Sequence, residues 1–329
     1  MNTSLNIYKV YAGHVYNPPY FDTIIVSKER YSLDDLKMLW NMVTINGHII
    51  INYVDIAKTF FRNNIEEINN KMLIIKKSNN ISYQFPTYRT IDFIIGGTMK
   101  GGTTAAITNL NKHPDIQVID HEIHYYDKKE IYQKGLQWYK SHFNYSKKMV
   151  GDKAPDVMYQ QSCLELLQIT NPQVKIILFL RNPIDRAYSH WKMTKEKFRN
   201  KSSFEDSIND ELEYRMGENR TYDVSFWHHF IQRGFYYQQI EEILKYFPKD
   251  NLLILITEKV KDNMDMEYQK VFKFLELNQH HDKYVEEFIS NNPNNILAPK
   301  SLLYKKLKKL YVKDVKNLEK FIGYKTGWF

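Results

Sequence analysis

A single cysteine, Cys163, stands among 329 residues, so no internal disulfide can form. No apolar run approaches the length needed to cross a bilayer. The opening stretch, Met1 to Val10, is polar and lacks the basic-then-apolar layout of a signal peptide. These absences read as a protein that is cytoplasmic or otherwise soluble in a reducing compartment, without a membrane anchor. Internal repeats and low-complexity tracts are also missing. The basic charge comes with no recognised nucleic-acid-binding motif, which argues against a nucleic-acid partner. His121 and His124 find no third ligand at a recognisable spacing, so no metal is expected.

What is present suits an enzyme-sized α/β chain. Hydrophobic residues make up 43% and aromatics 15%, enough for a substantial core. The length favours one large α/β domain with a smaller piece. A net charge of +8 suits an anionic ligand without specifying a fold. Lysines crowd the stretch from Lys300 to Lys325, which reads most simply as a solvated helix face.

Residues 1–88 differ from the rest and read as an accessory α/β region. Thr23 to Val26 and His48 to Val54 are strand candidates, and Lys71 to Ile75 is a third. Ser32-Leu-Asp-Asp35 resembles a capping box opening a helix through Val43, and Asp55 to Asn70 reads as helical. Residues 89–329 alternate strands and helices as a parallel sheet requires. Strands are expected at Asp92–Ile95, Val174–Leu180 and Leu252–Ile256. A helix bears Tyr236, Ile240, Ile243, Leu244 and Phe247 and stops at Pro248. One or two amphipathic helices follow Ser301.

The run Phe93-Ile-Ile-Gly-Gly-Thr-Met-Lys-Gly-Gly-Thr-Thr104 is an apolar strand that breaks into a glycine-rich turn before a helix start. Such a turn exposes successive backbone N–H groups, and the helix N-terminus behind it favours an anion. In the common P-loop the lysine follows the second glycine. Here Gly102 fills that slot, and Lys100 precedes the glycine pair. Glu122 and His124 lie two residues apart, so in an extended segment both would point to one side. Either type of group can accept a proton from a hydroxyl. Arg181 is expected at the C-terminal end of a strand, where ligands collect in open α/β sheets. Asn182-Pro183 then opens a helix, with Ser189 about two turns along it.

Lys100-Gly-Gly-Thr-Thr-Ala105 resembles the 5′-phosphosulfate loop of sulfotransferases that use 3′-phosphoadenosine 5′-phosphosulfate (PAPS), particularly the heparan-sulfate-type branch. Three further segments follow in the family's order. His113 to Asp115 with His121 to Asp127 resembles the acidic segment after the loop, and Gly151-Asp-Lys-Ala-Pro155 the lysine turn. Leu180-Arg-Asn-Pro-Ile-Asp-Arg-Ala-Tyr-Ser189 is similar to the 3′-phosphate motif. The resemblance covers about residues 90–329.

It implies a P-loop-like parallel sheet flanked by helices, PAPS as co-substrate and a glycan or other hydroxylated acceptor. Lys100 would meet the bridging or leaving oxygen. The amides of Gly101, Gly102, Thr103 and Thr104, with the two threonine hydroxyls, would hold the 5′-phosphate. Glu122 matches the general base, with His124 supporting it and Asp127 behind. Lys153 matches the lysine that contacts sulfonate or acceptor, and Arg181 and Ser189 match the 3′-phosphate ligands. Arg186 reads as a surface charge.

Relatives acting on glycosaminoglycans often carry a cysteine-closed basic loop that covers the cofactor. This chain has Asn291-Asn-Pro-Asn-Asn295 leading to Ala298-Pro-Lys-Ser301 instead, which puts a heparan-like polymer acceptor in doubt. Two other classes stay open on the residues alone. A metal-dependent nucleotide phosphotransferase would need ATP and magnesium, and a noncatalytic polyanion binder would show no turnover.

Overall fold

The computed structural model describes residues 89–132, 134–198, 202–216, 228–285 and 301–329, together with five strands before them. Those strands are β1 (Asn6–Tyr11), β2 (Phe21–Ser27), β3 (Val43–Asn52), β4 (Ile65–Asn69) and β5 (Met72–Lys76). They form a mixed sheet in the order β1-β2-β3-β5-β4. Only β2 and β3 run parallel; the other neighbours are antiparallel.

The expected helix from Asp55 to Asn70 is corrected here, because Ile65–Asn69 is a strand paired with β5. Its Ile-Glu-Glu-Ile spacing fits a helical face as well as a bulged strand. Pairing with Met72–Lys76 decides the matter, as tertiary context overrides a short periodic signal. The helix expected from Ser32 to Val43 lies outside the described residues, except that Val43 opens β3.

The chain divides into two units. One comprises Met1–Asp92, Ile123–Asn144 and Ser162–Val174; the other comprises Phe93–Glu122, Tyr145–Gln161 and Lys175–Phe329. The first unit includes an aromatic cluster in which Tyr125 stacks on Tyr139 at 4.3 Å.

The second unit is built on β6 (Phe93–Gly97), β7 (Ile116–Val118), β8 (Met149–Lys153), β9 (Lys175–Leu180) and β10 (Leu252–Ile256). Their order is β10-β9-β6-β8-β7, and every neighbouring pair is parallel. A parallel sheet is covered on both faces, and all five residues of β6 are buried. Its helices are α1 (Thr103–Leu110), α2 (Pro183–Phe198), α3 (Phe204–Met216), α4 (Tyr236–Tyr246), α5 (Thr257–Asp262), α6 (Met264–Phe274) and α7 (Leu302–Ile322). Apolar residues of α1 and α6, among them Ala106, Leu110, Val271 and Phe272, close over Phe93, Ile95, Ile177 and Phe179 of the sheet.

Strand β8 replaces the expected lysine turn. Gly, Asp and Lys are poor strand formers, yet β8 lies between β6 and β7. A Cβ on Gly151 would come 2.4 Å from the Phe93 ring, so close packing requires glycine there. Helix α7 is one continuous helix. Ser301 caps it by accepting a bond from the Tyr304 amide at 3.1 Å, and Gly323 ends it at φ 83°. Its Asp314 accepts bonds from the Tyr237 and Gln238 amides at 3.0 and 3.2 Å, which supplies the N-terminal cap that α4 lacks locally.

Candidate active site

The chain leaves β6 towards β7 on one side of the sheet, and leaves β9 towards β10 on the other. Adjacent parallel strands whose connections diverge leave a crevice at their C-terminal ends. The loop after β6 carries Lys100, and the turn after β9 begins with Arg181.

Hydrogen bonds fix the shape of the first loop. Thr98 donates its amide to the Phe179 carbonyl at 3.0 Å, and the Gly101 amide donates to the Thr98 carbonyl at 2.8 Å. From α5, the Thr257 hydroxyl donates to the Gly101 carbonyl at 2.5 Å. A Cβ at Gly101 would lie 2.3 Å from the Phe179 carbonyl oxygen; the close approach of this loop to β9 therefore requires glycine. Lys100 sits in the left-handed region at φ 67°, followed by Gly102 at φ 95°. Helix α1 then starts at Thr103 without a side-chain cap or an acidic residue in its first turn. Its leading amides have no partner within the helix.

One cavity of about 350 Å³ is lined by Lys100, Gly102, Thr103, Thr104, Glu122, Lys153, Arg181 and Ser189. Gly101 lies behind that wall and is buried. Burial and then the charge of Arg181 lower the pKa of Lys100, while Glu196 pulls it back up. Lys153, the last residue of β8, is 8% exposed. Its Nζ lies 3.2 Å from Oε1 of Glu122. Arg181 is equally buried.

His124 belongs to the first unit. Its Nδ1 lies 2.7 Å from Oδ2 of Asp127, so these two do pair. The extended segment expected around Glu122 and His124 is corrected: no strand forms there, and His124 adopts φ 60°. A left-handed residue breaks the two-residue alternation on which the same-side expectation rested.

Arg186 is a second correction. It is fully buried rather than a surface charge, with one guanidinium nitrogen donating to the Phe230 carbonyl. Burial, then Arg186 and Arg233, drive the pKa of neighbouring His190 well below the usual histidine range.

Lys192, Glu196, Thr257 and Lys261 also line the cavity, and the sequence reading passed over them. A signal did exist for two of them. Lys192 and Glu196 follow Ser189 by three and seven residues, the spacing of one helix face.

Residues 90–296 match the family described as sulfotransferase domain. This chain belongs to the sulfotransferase family. It is 30% identical to heparan sulfate glucosamine 3-O-sulfotransferase 5 of Mus musculus over 188 residues, 56% of this chain and 53% of the relative. The Homo sapiens counterpart is 29% identical over 188 residues, with the same coverage of both chains. Human heparan sulfate glucosamine 3-O-sulfotransferase 6 is 28% identical over 186 residues, 56% of this chain and 52% of that one. The chain thus spans about half the length of the curated relatives it matches. Among solved structures, a sulfotransferase from Alicyclobacillus acidocaldarius matches with a TM-score of 0.59 at 18% identity, over 72% of this chain and 98% of that one. At that identity the likeness concerns the fold. The expected sulfotransferase fold, a parallel sheet flanked by helices, is the one observed. No described helix of this sulfotransferase-family chain is long and apolar enough to cross a membrane.

Proposed function

We propose that this chain transfers a sulfuryl group from PAPS to a hydroxyl of a carbohydrate acceptor, with an amine as the second choice. Residues 89–329 act as the transferase domain and residues 1–88 as an accessory region. The carrying observation is that Lys100, Lys153 and Arg181 meet Glu122 in one cleft, with the free amides of the α1 N-terminus beside them. Fixed cations and oriented amides stabilise the charge that builds on a departing phosphate, so the donor set suits a polyanionic nucleotide.

In this reading the amides of Gly102, Thr103 and Thr104 and the two threonine hydroxyls hold the 5′-phosphate, whereas the expected Gly101 amide is already bonded to the Thr98 carbonyl, and Lys100 meets the oxygen that leaves. Arg181 and Ser189 hold the 3′-phosphate, where a guanidinium fork suits a dianion. The donor supplies the SO₃ group. The acceptor oxygen takes it as the S–O bond to phosphate breaks, the hydroxyl proton passes to Glu122, and 3′,5′-adenosine bisphosphate departs. Lys153 holds Glu122 and faces the sulfonate. Glycans as acceptors are favoured by the relatives, whose names place sulfate on heparan sulfate glucosamine.

A screen of sulfate transfer from labelled PAPS across glycans and small hydroxylated acceptors tests the reading. Label should appear on a carbohydrate hydroxyl without added metal. Incorporation into none of them, or transfer of phosphate from ATP instead, would sink it.

A further inference from the structure

The peptide unit that follows Arg181 is held at both ends by side chains. Its carbonyl accepts a bond from the Tyr236 hydroxyl at 2.7 Å. Its N–H, the amide of Asn182, donates to Oε1 of Glu258 at 2.9 Å. The other oxygen of Glu258 accepts a bond from the indole Nε1 of Trp328 at 2.8 Å. Trp328 also faces the Tyr236 ring at 5.8 Å between centroids, so it touches both holders of that peptide.

The chain takes specific steps to bring Trp328 there. Helix α7 ends at Gly323 in the left-handed region, and Gly327 adopts φ 81°. Between them, Thr326 donates both its amide and its hydroxyl to Oε1 of Glu319, each at 3.0 Å. Lys325 pairs with the other Glu319 oxygen at 2.8 Å. The stretch is thereby folded back, and Trp328 is 6% exposed. Glu258 adjoins Thr257, whose hydroxyl holds the Gly101 carbonyl. The first turn of α5 therefore grips the loop after β6 and the turn after β9 together.

We propose that Trp328, acting through Glu258, is a positioning residue for the 3′-phosphate arm of the cleft. It sets the Arg181–Asn182 peptide, and with it the direction in which the Arg181 guanidinium enters the cavity. The inference rests on reading Arg181 as a 3′-phosphate ligand. The two Glu258 oxygens each accept from a different donor; in glutamine one of them becomes an NH₂ group, a donor that cannot accept, so one partner must be released. A hydrogen bond to a charged group is worth more than a neutral one, so losing the indole leaves Glu258 free to shift and the arm with it.

The test is a comparison of 3′,5′-adenosine bisphosphate with AMP, which lacks the 3′-phosphate. Binding of both is measured by calorimetry on the full chain, for the wild type, Trp328→Phe and Glu258→Gln. The wild type should prefer the bisphosphate. Each variant should lose about tenfold in bisphosphate affinity while AMP affinity stays within about twofold. The KM for PAPS should rise by the same factor, with kcat changing less. A purely structural role would weaken both nucleotides together, and that result overturns the proposal. A preference that is intact in both variants overturns it as well, and leaves the functional reading standing. A wild type that does not distinguish the two nucleotides removes the functional reading and this inference with it. Glu258→Gln is nearly isosteric, so it covers the case in which Trp328→Phe fails to fold.

Discussion

The ammonium of Lys153 lies 3.2 Å from a carboxylate oxygen of Glu122, with the lysine side chain 9% exposed and the glutamate 31%. The lysine comes from the end of a buried strand and the glutamate from an irregular stretch beyond β7. Both side chains line the same cleft.

Glu122→Gln preserves shape and removes the proposed proton acceptor. Sulfate transfer should fall by about 10²- to 10⁴-fold in kcat, with bisphosphate binding and thermal stability close to wild type. Steady-state kinetics and a thermal melt check this. Undiminished turnover would dismiss Glu122 as the base.

Lys100→Ala should abolish transfer from PAPS. Because burial and Arg181 lower the Lys100 pKa, this group loses its charge at lower pH than an ordinary lysine. Bisphosphate affinity should therefore decline on the alkaline side before the usual lysine range is reached. Lys100→Arg keeps its charge throughout and should flatten that decline. Identical alkaline profiles for the wild type and Lys100→Arg would count against the assignment.

Gly101→Ala should cost about 1–3 kcal/mol of stability, since its Cβ would meet the Phe179 carbonyl at 2.3 Å. Backbone cannot retreat as a side-chain tip can. Bisphosphate binding should drop as the loop shifts, measurable by denaturant titration and calorimetry. A neutral alanine would mean that the loop is not gripped as described.

Burial pushes the Asp185 carboxyl from 3.8 to about 6, against the pull of Arg181 and Lys261 and with help from Glu258. A folded-state value above the unfolded one means that the native protein binds the proton more tightly. This group's contribution to stability is thus complete below pH 3.8 and declines as the pH rises through about 6. Asp185→Asn removes the decline. The melting temperature of the variant relative to wild type should rise between pH 4 and pH 7, while a constant difference would refute the shift.

Much of the second sheet is legible in one dimension. β9 and β10 are continuous apolar runs, and β6 is such a run closed by Gly96-Gly97; buried parallel strands read this way. α4 and α7 announce themselves by spacing, and the loop from Thr98 to Gly102 by its glycines. Less legible are elements whose composition serves a neighbour. Gly151-Asp-Lys153 reads as a turn because the Phe93 ring that demands the glycine is far away in sequence. Ile65 to Asn69 reads as a helix until its antiparallel partner is in place. Arg186 reads as exposed because nothing nearby in sequence hints at the Phe230 carbonyl that accepts from it.

By itself, the order of residues determined the family, the strand-loop-helix units and which cationic side chains stand at strand ends, since these depend on local periodicity and short spacings. Only the tertiary structure decided that Lys153 meets Glu122, that His124 turns to Asp127, and that Trp328 reaches Glu258. Those contacts need particular orientations as well as proximity, and orientation is set by the register of the sheet and by left-handed turns such as those at Gly323 and Gly327. Residues 70 positions apart, like Glu258 and Trp328, acquire a shared role only once that geometry has formed.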